Sequence, residues 1–391
     1  MAAVVAADGS AGWRAARAGL VLLIGAGAMT VARRSRGRAW AGAALTVGMP
    51  AIIVGGAIGV PHAMAQPSVV AAAGIVALTS GLALVAAAVA TLWRGHRRLA
   101  RAGIVAAALL LIQFLVWPMS MAVFATNRAP RPLPDRTPAD VGLDHLDVTL
   151  VAHDGTRLAA WYVPSTNGAA IVLLHGSGST RADVLAHARV LVAHGYGVLT
   201  LDARGHGASD GHAMDFGWYG DADIAPAVDH LSRAPDVRDG RIAVVGLSMG
   251  GEEAIGAAAA GPRISAVVAE GVTGRIGEDW LALQPAGVGR WPSTVFYAVQ
   301  DATAGVLTGA DRPIDLRRAV VAAAPRPLLL ITAGDVPREA IAARRLDDAA
   351  PRTVQRWNVP GAGHMQALST APREWEQHVV TFLAQALDTN D

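Results

Sequence analysis

The chain has 391 residues, 52% of them apolar and only 16% charged, a balance too apolar for an ordinary soluble enzyme. It contains no cysteine, which excludes disulfides, thiolate metal sites and a cysteine nucleophile. Residues 1–127 hold one acid, Asp8, against ten arginines, and the remainder holds 30 acids against 23 arginines, so a net charge of +2 hides two parts of about +9 and −7. The pI near 9.5 therefore comes from arginines beside apolar runs, which argues against a nucleic-acid-binding face.

Four apolar runs come first: Ala18 to Ala32, Ala39 to Val60, Ser68 to Trp93 and Gly103 to Ala125. The last three reach the roughly 20 residues that a ~30 Å hydrocarbon core requires. The first spans only if it begins near Gly12 with its flanking arginines reaching back to the interface; a cleaved signal peptide is the rival reading. Trp40, Trp93 and Trp117 stand at or near run ends, where indoles favour the headgroup region. The loops Arg33 to Arg38 and Arg94 to Arg101 carry four arginines each, and Pro61 to Pro67 carries none. The positive-inside bias then makes the first and third loops cytoplasmic and leaves the end of the fourth span outside. The run interiors hold no Asp, Glu, Arg or Lys, which favours an anchor over a transporter. Residues 1–127 are thus expected to be a membrane region of about four spans. Residues 128–139, with Pro130, Pro132, Pro134 and Pro138, are expected to form a stiff linker.

From residue 140 onward, strand-length apolar runs alternate with amphipathic stretches, the pattern of a mostly parallel sheet covered by helices. Strands are expected at Leu146 to Ala152, Arg157 to Val163, Ala169 to Leu174, Gly197 to Asp202, Arg241 to Gly246, Ile264 to Glu270, Pro327 to Thr332 and Val354 to Val359. The turn His153, Asp154, Gly155 makes the first two a hairpin. Helices are expected at Arg181 to His194, Tyr219 to Ser232, Met249 to Ala260, Arg338 to Ala349 and Pro372 to Leu387.

The pentapeptide Gly246, Leu247, Ser248, Met249, Gly250 follows an apolar strand and opens a helix, the context in which G-x-S-x-G exposes a nucleophilic serine on a sharp turn. A serine hydroxyl needs a base, and the base needs an acid to hold its tautomer. His364, in VPGAGH after the last strand, is the candidate base; after Ser248 only His378 competes, and that lies inside the last helix. Asp335, at the carboxyl end of the seventh strand, is the candidate acid, with Glu339 as runner-up and a helix cap as its bland alternative. The backbone N–H groups of Ser177, in the glycine-rich run after the third strand, and of Met249 are candidate oxyanion donors. His175 is expected to brace that loop.

The run DARGHGASDG at 202 to 211, with LLHGSG at 173 to 178, GLSMGG at 246 to 251 and PGAGH at 360 to 364, resembles the α/β-hydrolase superfamily. It is most similar to the esterase, lipase and serine-aminopeptidase-like branch. The resemblance covers residues 140–391 and implies an α/β-hydrolase fold with an eight-stranded, mostly parallel sheet and a small cap. It also implies a Ser248, Asp335, His364 triad with Ser177 and Met249 at the oxyanion hole. One departure is visible: relatives usually place several residues between the glycine after the seventh strand and the acid, whereas Gly334 and Asp335 are adjacent. Asp202, Arg204 and Ser209 are read as structural loop residues.

The cap is expected around 271–324, where Trp280, Leu281, Leu283, Trp291, Phe296 and Tyr297 either wall an acyl pocket or form the cap's own core. No metal or nucleotide motif appears, so no cofactor is implied. The expected function is a membrane-anchored, externally facing serine hydrolase acting on small-molecule or lipid esters or thioesters. A peptidase or acyltransferase with the same triad is the alternative, followed by a non-enzymatic binding module and a transporter with an appended hydrolase.

Overall fold

The computed structural model describes residues 11–94, 97–129, 131–212 and 214–388. Asp8, Gly95 and His96 of the third loop, and Pro130 of the proline-rich stretch fall outside the described residues, as do the two ends of the expected domains. The chain divides into two compact units: Met1–Ala129 with Ala286–Asp311, and Pro130–Pro285 with Arg312–Asp391.

The first unit is helical. Its helices α1 (Ala11–Arg34), α2 (Arg38–Ala65), α3 (Val69–Trp93) and α4 (Arg98–Ala125) are each long and apolar enough to cross a membrane. The first run therefore meets the condition set on it, because its helix starts before Gly12 and takes in Arg14 and Arg17. Within α2 and α4, the π-helical turns Gly55–Gly59 and Ile112–Val116 each lie just before a proline, Pro61 and Pro118. A proline ring collides with the carbonyl four residues back, and widening the turn relieves that collision. α2 and α3 approach so closely that a Cβ on Gly74 would lie 2.2 Å from the Gly59 Cα, the small-residue packing that brings membrane helices together.

The second unit is built on eight strands in the order β1-β2-β4-β3-β5-β6-β7-β8. They are β1 (Leu146–Val151), β2 (Arg157–Val163), β3 (Ala170–Leu174), β4 (Gly197–Leu201), β5 (Ile242–Leu247), β6 (Ala266–Glu270), β7 (Leu328–Ala333) and β8 (Val354–Val359). β2 is antiparallel to both β1 and β4, and the other pairs are parallel. β3 to β7 are buried at every position because both sheet faces are covered, and Thr200, Glu270 and Thr332 are their only polar residues. Side-chain alternation divides each strand between two cores. On β3, Ala170, Val172 and Leu174 pack with α6 (Ala225–Leu231), α7 (Met249–Ala260), α10 (Leu316–Ala323) and α11 (Pro337–Ala349), whereas Ile171 and Leu173 pack with α5 (Leu185–Ala193) and α12 (Pro372–Ala386).

Two differences from the expected organisation stand out. Residues after Pro130 belong to the second unit: Leu133 packs on the cluster of Trp161, Ala182 and Leu185, and Arg131 donates to the Gly178 carbonyl at 3.0 Å. The cap region is also divided. α8 (Gly277–Ala282) and α10 stay with the sheet, but α9 (Trp291–Thr308) belongs to the helical unit. There Trp291 stacks on Phe114 at 5.1 Å between ring centroids and Phe296 meets Trp117 edge-on at 5.6 Å, so both rings pack within the helical unit.

The DARGHGASDG run forms a braced loop after β4. Asp202, fully buried, accepts the N–H of Arg181 at 2.7 Å and of Ala208 at 2.9 Å, and Ser209 donates to the Asp202 carbonyl. Arg204 is held between Asp154 and Asp223 and lies over the Tyr219 ring. Asp223 is buried, so without Arg204 its charge would be left uncompensated. All three residues have the structural placement read for them.

Candidate active site

Ser248 sits between β5 and α7 at φ 53°, ψ −117°, a region that a residue with a Cβ enters only under constraint. The constraint is local and glycine permits it: a Cβ on Gly246 would lie 2.1 Å from the Gly250 carbonyl oxygen, and one on Gly250 would lie 2.6 Å from the His175 carbonyl oxygen. The serine N–H donates to the Glu270 carbonyl at 2.7 Å, which fastens the turn to the end of β6. The hydroxyl is thereby presented beyond the carboxyl edge of the sheet, where chemistry gathers in parallel α/β folds.

His364 reaches it from the loop after β8. Its Nε2 lies 2.9 Å from Ser248 Oγ and its Nδ1 lies 2.6 Å from Glu339 Oε1. The loop is pinned by Glu270, whose Oε1 accepts the Ala367 N–H at 2.9 Å and whose Oε2 accepts the indole N–H of the buried Trp375 at 3.3 Å. Gly271, at φ 75°, lets the ring lie close, since a Cβ there would be 3.0 Å from His364 Cε1.

Asp335 is not the carboxylate at this histidine. It is exposed on the turn between β7 and α11, where its N–H donates to the Ala362 carbonyl at 3.1 Å. Glu339, in the first turn of α11, occupies the position instead, fully buried, with its Oε2 accepting the Ala333 N–H at 2.7 Å. The physical reason is reach: the chain turns at Gly334 and Asp335 too early for a short aspartate to aim inward, and a longer glutamate one helical turn on points back under the imidazole. The hydrogen bond to Glu339 holds His364 basicity above its ordinary value, partly opposed by desolvation, with the Glu339, Glu252 and Glu270 charges adding to the rise.

Met249 follows Ser248 directly at the start of α7, and Ser177 lies in the loop after β3. Among the described residues, neither backbone N–H is committed to a protein acceptor, while the Ser177 hydroxyl donates to Asp215. Two histidines brace this loop. His175 Nε2 accepts the Ala203 N–H at 3.0 Å, so its Nδ1 carries the proton that goes to the Gly176 carbonyl; His206 Nε2 accepts the Gly178 N–H at 3.3 Å. Burial keeps both neutral, pushing His175 down to about 3. His378 stacks on Trp357, away from the serine.

Glu270 and Glu252 carried no sequence signal. Glu252 Oε1 accepts the N–H groups of Thr273 and Gly274 and so ties α7 to the chain leaving β6. A cavity of about 250 Å³ opens among α8, α10 and α11, lined by Thr273, Asp279, Leu283 and Arg318 among others; Ser248 and His364 are not among its walls.

Comparison with known proteins agrees with this architecture. The family described as serine aminopeptidase, S33, matches residues 165–303. The uncharacterized protein Rv2307c of Mycobacterium tuberculosis is 32% identical over 192 residues, 46% of this chain and 68% of the relative. A polyketide transferase, grgF, of Penicillium sp. is 32% identical over 136 residues, 32% of this chain and 45% of that protein. Among solved structures, the esterase Pf2001 of Pyrococcus furiosus superposes with a TM-score of 0.52 at 24% identity, covering 66% of this chain and 99% of the esterase.

Proposed function

Because this chain belongs to the α/β-hydrolase superfamily, in its serine aminopeptidase S33-like branch, and carries an N-terminal membrane region, we propose that it is a membrane-anchored serine hydrolase cleaving carboxylic esters or thioesters. The observation that carries this reading is the continuous hydrogen-bonded chain Ser248 Oγ, His364 Nε2, His364 Nδ1, Glu339 Oε1.

The chemistry follows from that chain. His364 Nε2 takes the Ser248 proton as Oγ attacks the acyl carbonyl, and Glu339 stabilises the imidazolium and fixes its tautomer. The N–H groups of Met249 and Ser177 receive the oxyanion, each worth about 3 kcal/mol if preorganised. His364 then protonates the leaving alcohol or thiol, and a water deprotonated by the same nitrogen releases the acyl group from Ser248. The likeness to a polyketide transferase favours one second reading, in which an acceptor alcohol or amine replaces that water.

A panel of p-nitrophenyl esters of graded chain length, acyl thioesters and aminoacyl amides tests the reaction class. Turnover of esters well above amides, with free acid as product, is expected; amide cleavage alone would transfer the site to peptidase chemistry. The arginine-rich loops after α1 and α3 support a multi-pass anchor with the catalytic unit on the extracytoplasmic side. A reporter fused after Asp391 should then be active outside the cytoplasm, and activity only inside reverses the orientation.

A further inference from the structure

We propose that Ala286–Asp311 is a re-entrant element that contacts lipid: an insertion between β6 and β7 that leaves the catalytic unit, seats α9 obliquely in the membrane region and returns on the same side. The inference rests on the membrane reading of the first unit and is independent of the triad.

The contacts along α9 set its inclination. Its first turn stacks on Phe114, its second meets Trp117, and Leu307 near its end packs with Ile53, Val54, Ala57, Ile58 and Val123. From Trp291 to Leu307 the helix rises about 24 Å, while α4 rises only about 16 Å from Phe114 to its end at Ala125. The axis of α9 is therefore inclined to that of α4, with the Trp291 end deeper than the Leu307 end. The shallow end is tied to the first helix: Trp13 Nε1 and Arg17 Nη1 both donate to the Val306 carbonyl, at 3.0 and 3.3 Å. That carbonyl is among the last four of α9, which have no partner within the helix.

Depth follows from lengths. α4 has 28 residues, about 42 Å, against a ~30 Å hydrocarbon core, which leaves about 6 Å projecting at each end. Phe114 lies about 16 Å from the Ala125 end, hence about 10 Å below the boundary, the depth at which interfacial helices seat their apolar faces. A full crossing is excluded by connectivity. After Thr308 only residues 309–311 precede Arg312 of the catalytic unit, a reach of about 10 Å.

The outward residues suit this position. Val288 is 90% exposed and Trp291 55% exposed, with Val295 and Val306 also exposed. Between Trp291 and Thr308 there is no arginine or lysine, and the one acid, Asp301, is buried. Arg290 stands at the deeper end, where its long stem can carry the guanidinium back to the headgroups. In water these exposed apolar side chains would be a liability; beside four membrane-length helices they continue the lipid-facing surface.

The absence of cysteine permits a direct test with single labels. The full chain is reconstituted in phosphatidylcholine–phosphatidylglycerol vesicles with an environment-sensitive fluorophore at Val288→Cys or Val295→Cys. Leu115→Cys on α4 serves as the lipid reference, Glu376→Cys on α12 as the aqueous reference, and circular dichroism verifies each fold. Acyl-brominated lipid is expected to quench the Val288 and Val295 labels to within about twofold of Leu115, and aqueous iodide to quench them several-fold less than Glu376. Labels at Val288 and Val295 that respond like Glu376, with Leu115 still lipid-quenched, overturn the re-entrant element alone. A Leu115 label open to iodide overturns the membrane reading beneath it, and neither result bears on the triad.

Discussion

Ser248→Ala is expected to lower kcat for an activated ester by about 10⁶-fold, leaving the modest acceleration that binding and oxyanion donors supply alone. The size follows from the role: without Oγ no acyl-enzyme forms, and His364 has no proton to accept from the protein. Alanine also relaxes nothing that folding depends on, since the φ of 53° is imposed by the backbone bond from the residue 248 N–H to Glu270 and by the glycines on either side. Unchanged thermal stability with lost turnover is the expected pair of readings. Retained turnover would move the chemistry to another residue.

Glu339→Gln is expected to cost about 10³- to 10⁴-fold in kcat, and Asp335→Asn less than about twofold. Glutamine keeps the side-chain length but removes the charge, and its amide can turn an N–H toward Nδ1, selecting the tautomer that cannot accept the serine proton. The pH profile separates this from simple misfolding. Only neutral His364 can act as base, so activity rises as pH climbs through its pKa, which the Glu339 hydrogen bond holds above the ordinary 6.5. The acidic limb of kcat/KM should therefore lie above pH 6.5 in the parent protein and move to lower pH in Glu339→Gln, even as the rate falls. If Asp335→Asn shows the large loss and the limb shift, the carboxylate assignment is wrong.

These two residues also mark where the sequence could be read and where it could not. The eight strands follow from apolar runs bounded by turn residues, and each observed strand lies within two residues of its expected ends. Ser248 and His364 were legible because the chemistry demands a rare local context: a serine between two glycines on a strand-to-helix turn, and a histidine in a loop after the last strand. The acid was not, because a carboxylate near a strand end reads alike whether it points to solvent or beneath a ring. Gly334 and Asp335 stood closer together than in relatives, and that departure was the available signal for Glu339, five residues after the glycine. Glu270 was illegible for a different reason. Burying a carboxylate at a strand end is favourable only when distant donors meet it, here Ala367 and Trp375, and no local pattern announces a partner about a hundred residues away.

The division of the cap was hidden in the same way. Trp291, Phe296 and Tyr297 have the composition of an acyl-pocket wall, and it takes the contacts of Phe114 and Trp117 with the first two, stacked and edge-on, together with the packing of Leu307, to place this helix with the apolar unit.

The most direct test of the central assignment is covalent. The folded full chain is treated with a fluorophosphonate at neutral pH, digested and read by mass spectrometry. A single adduct on the peptide containing Ser248, absent from Ser248→Ala and much slower to form in Glu339→Gln, is the predicted result. A folded protein that takes up no label, or carries it on another serine, contradicts the account.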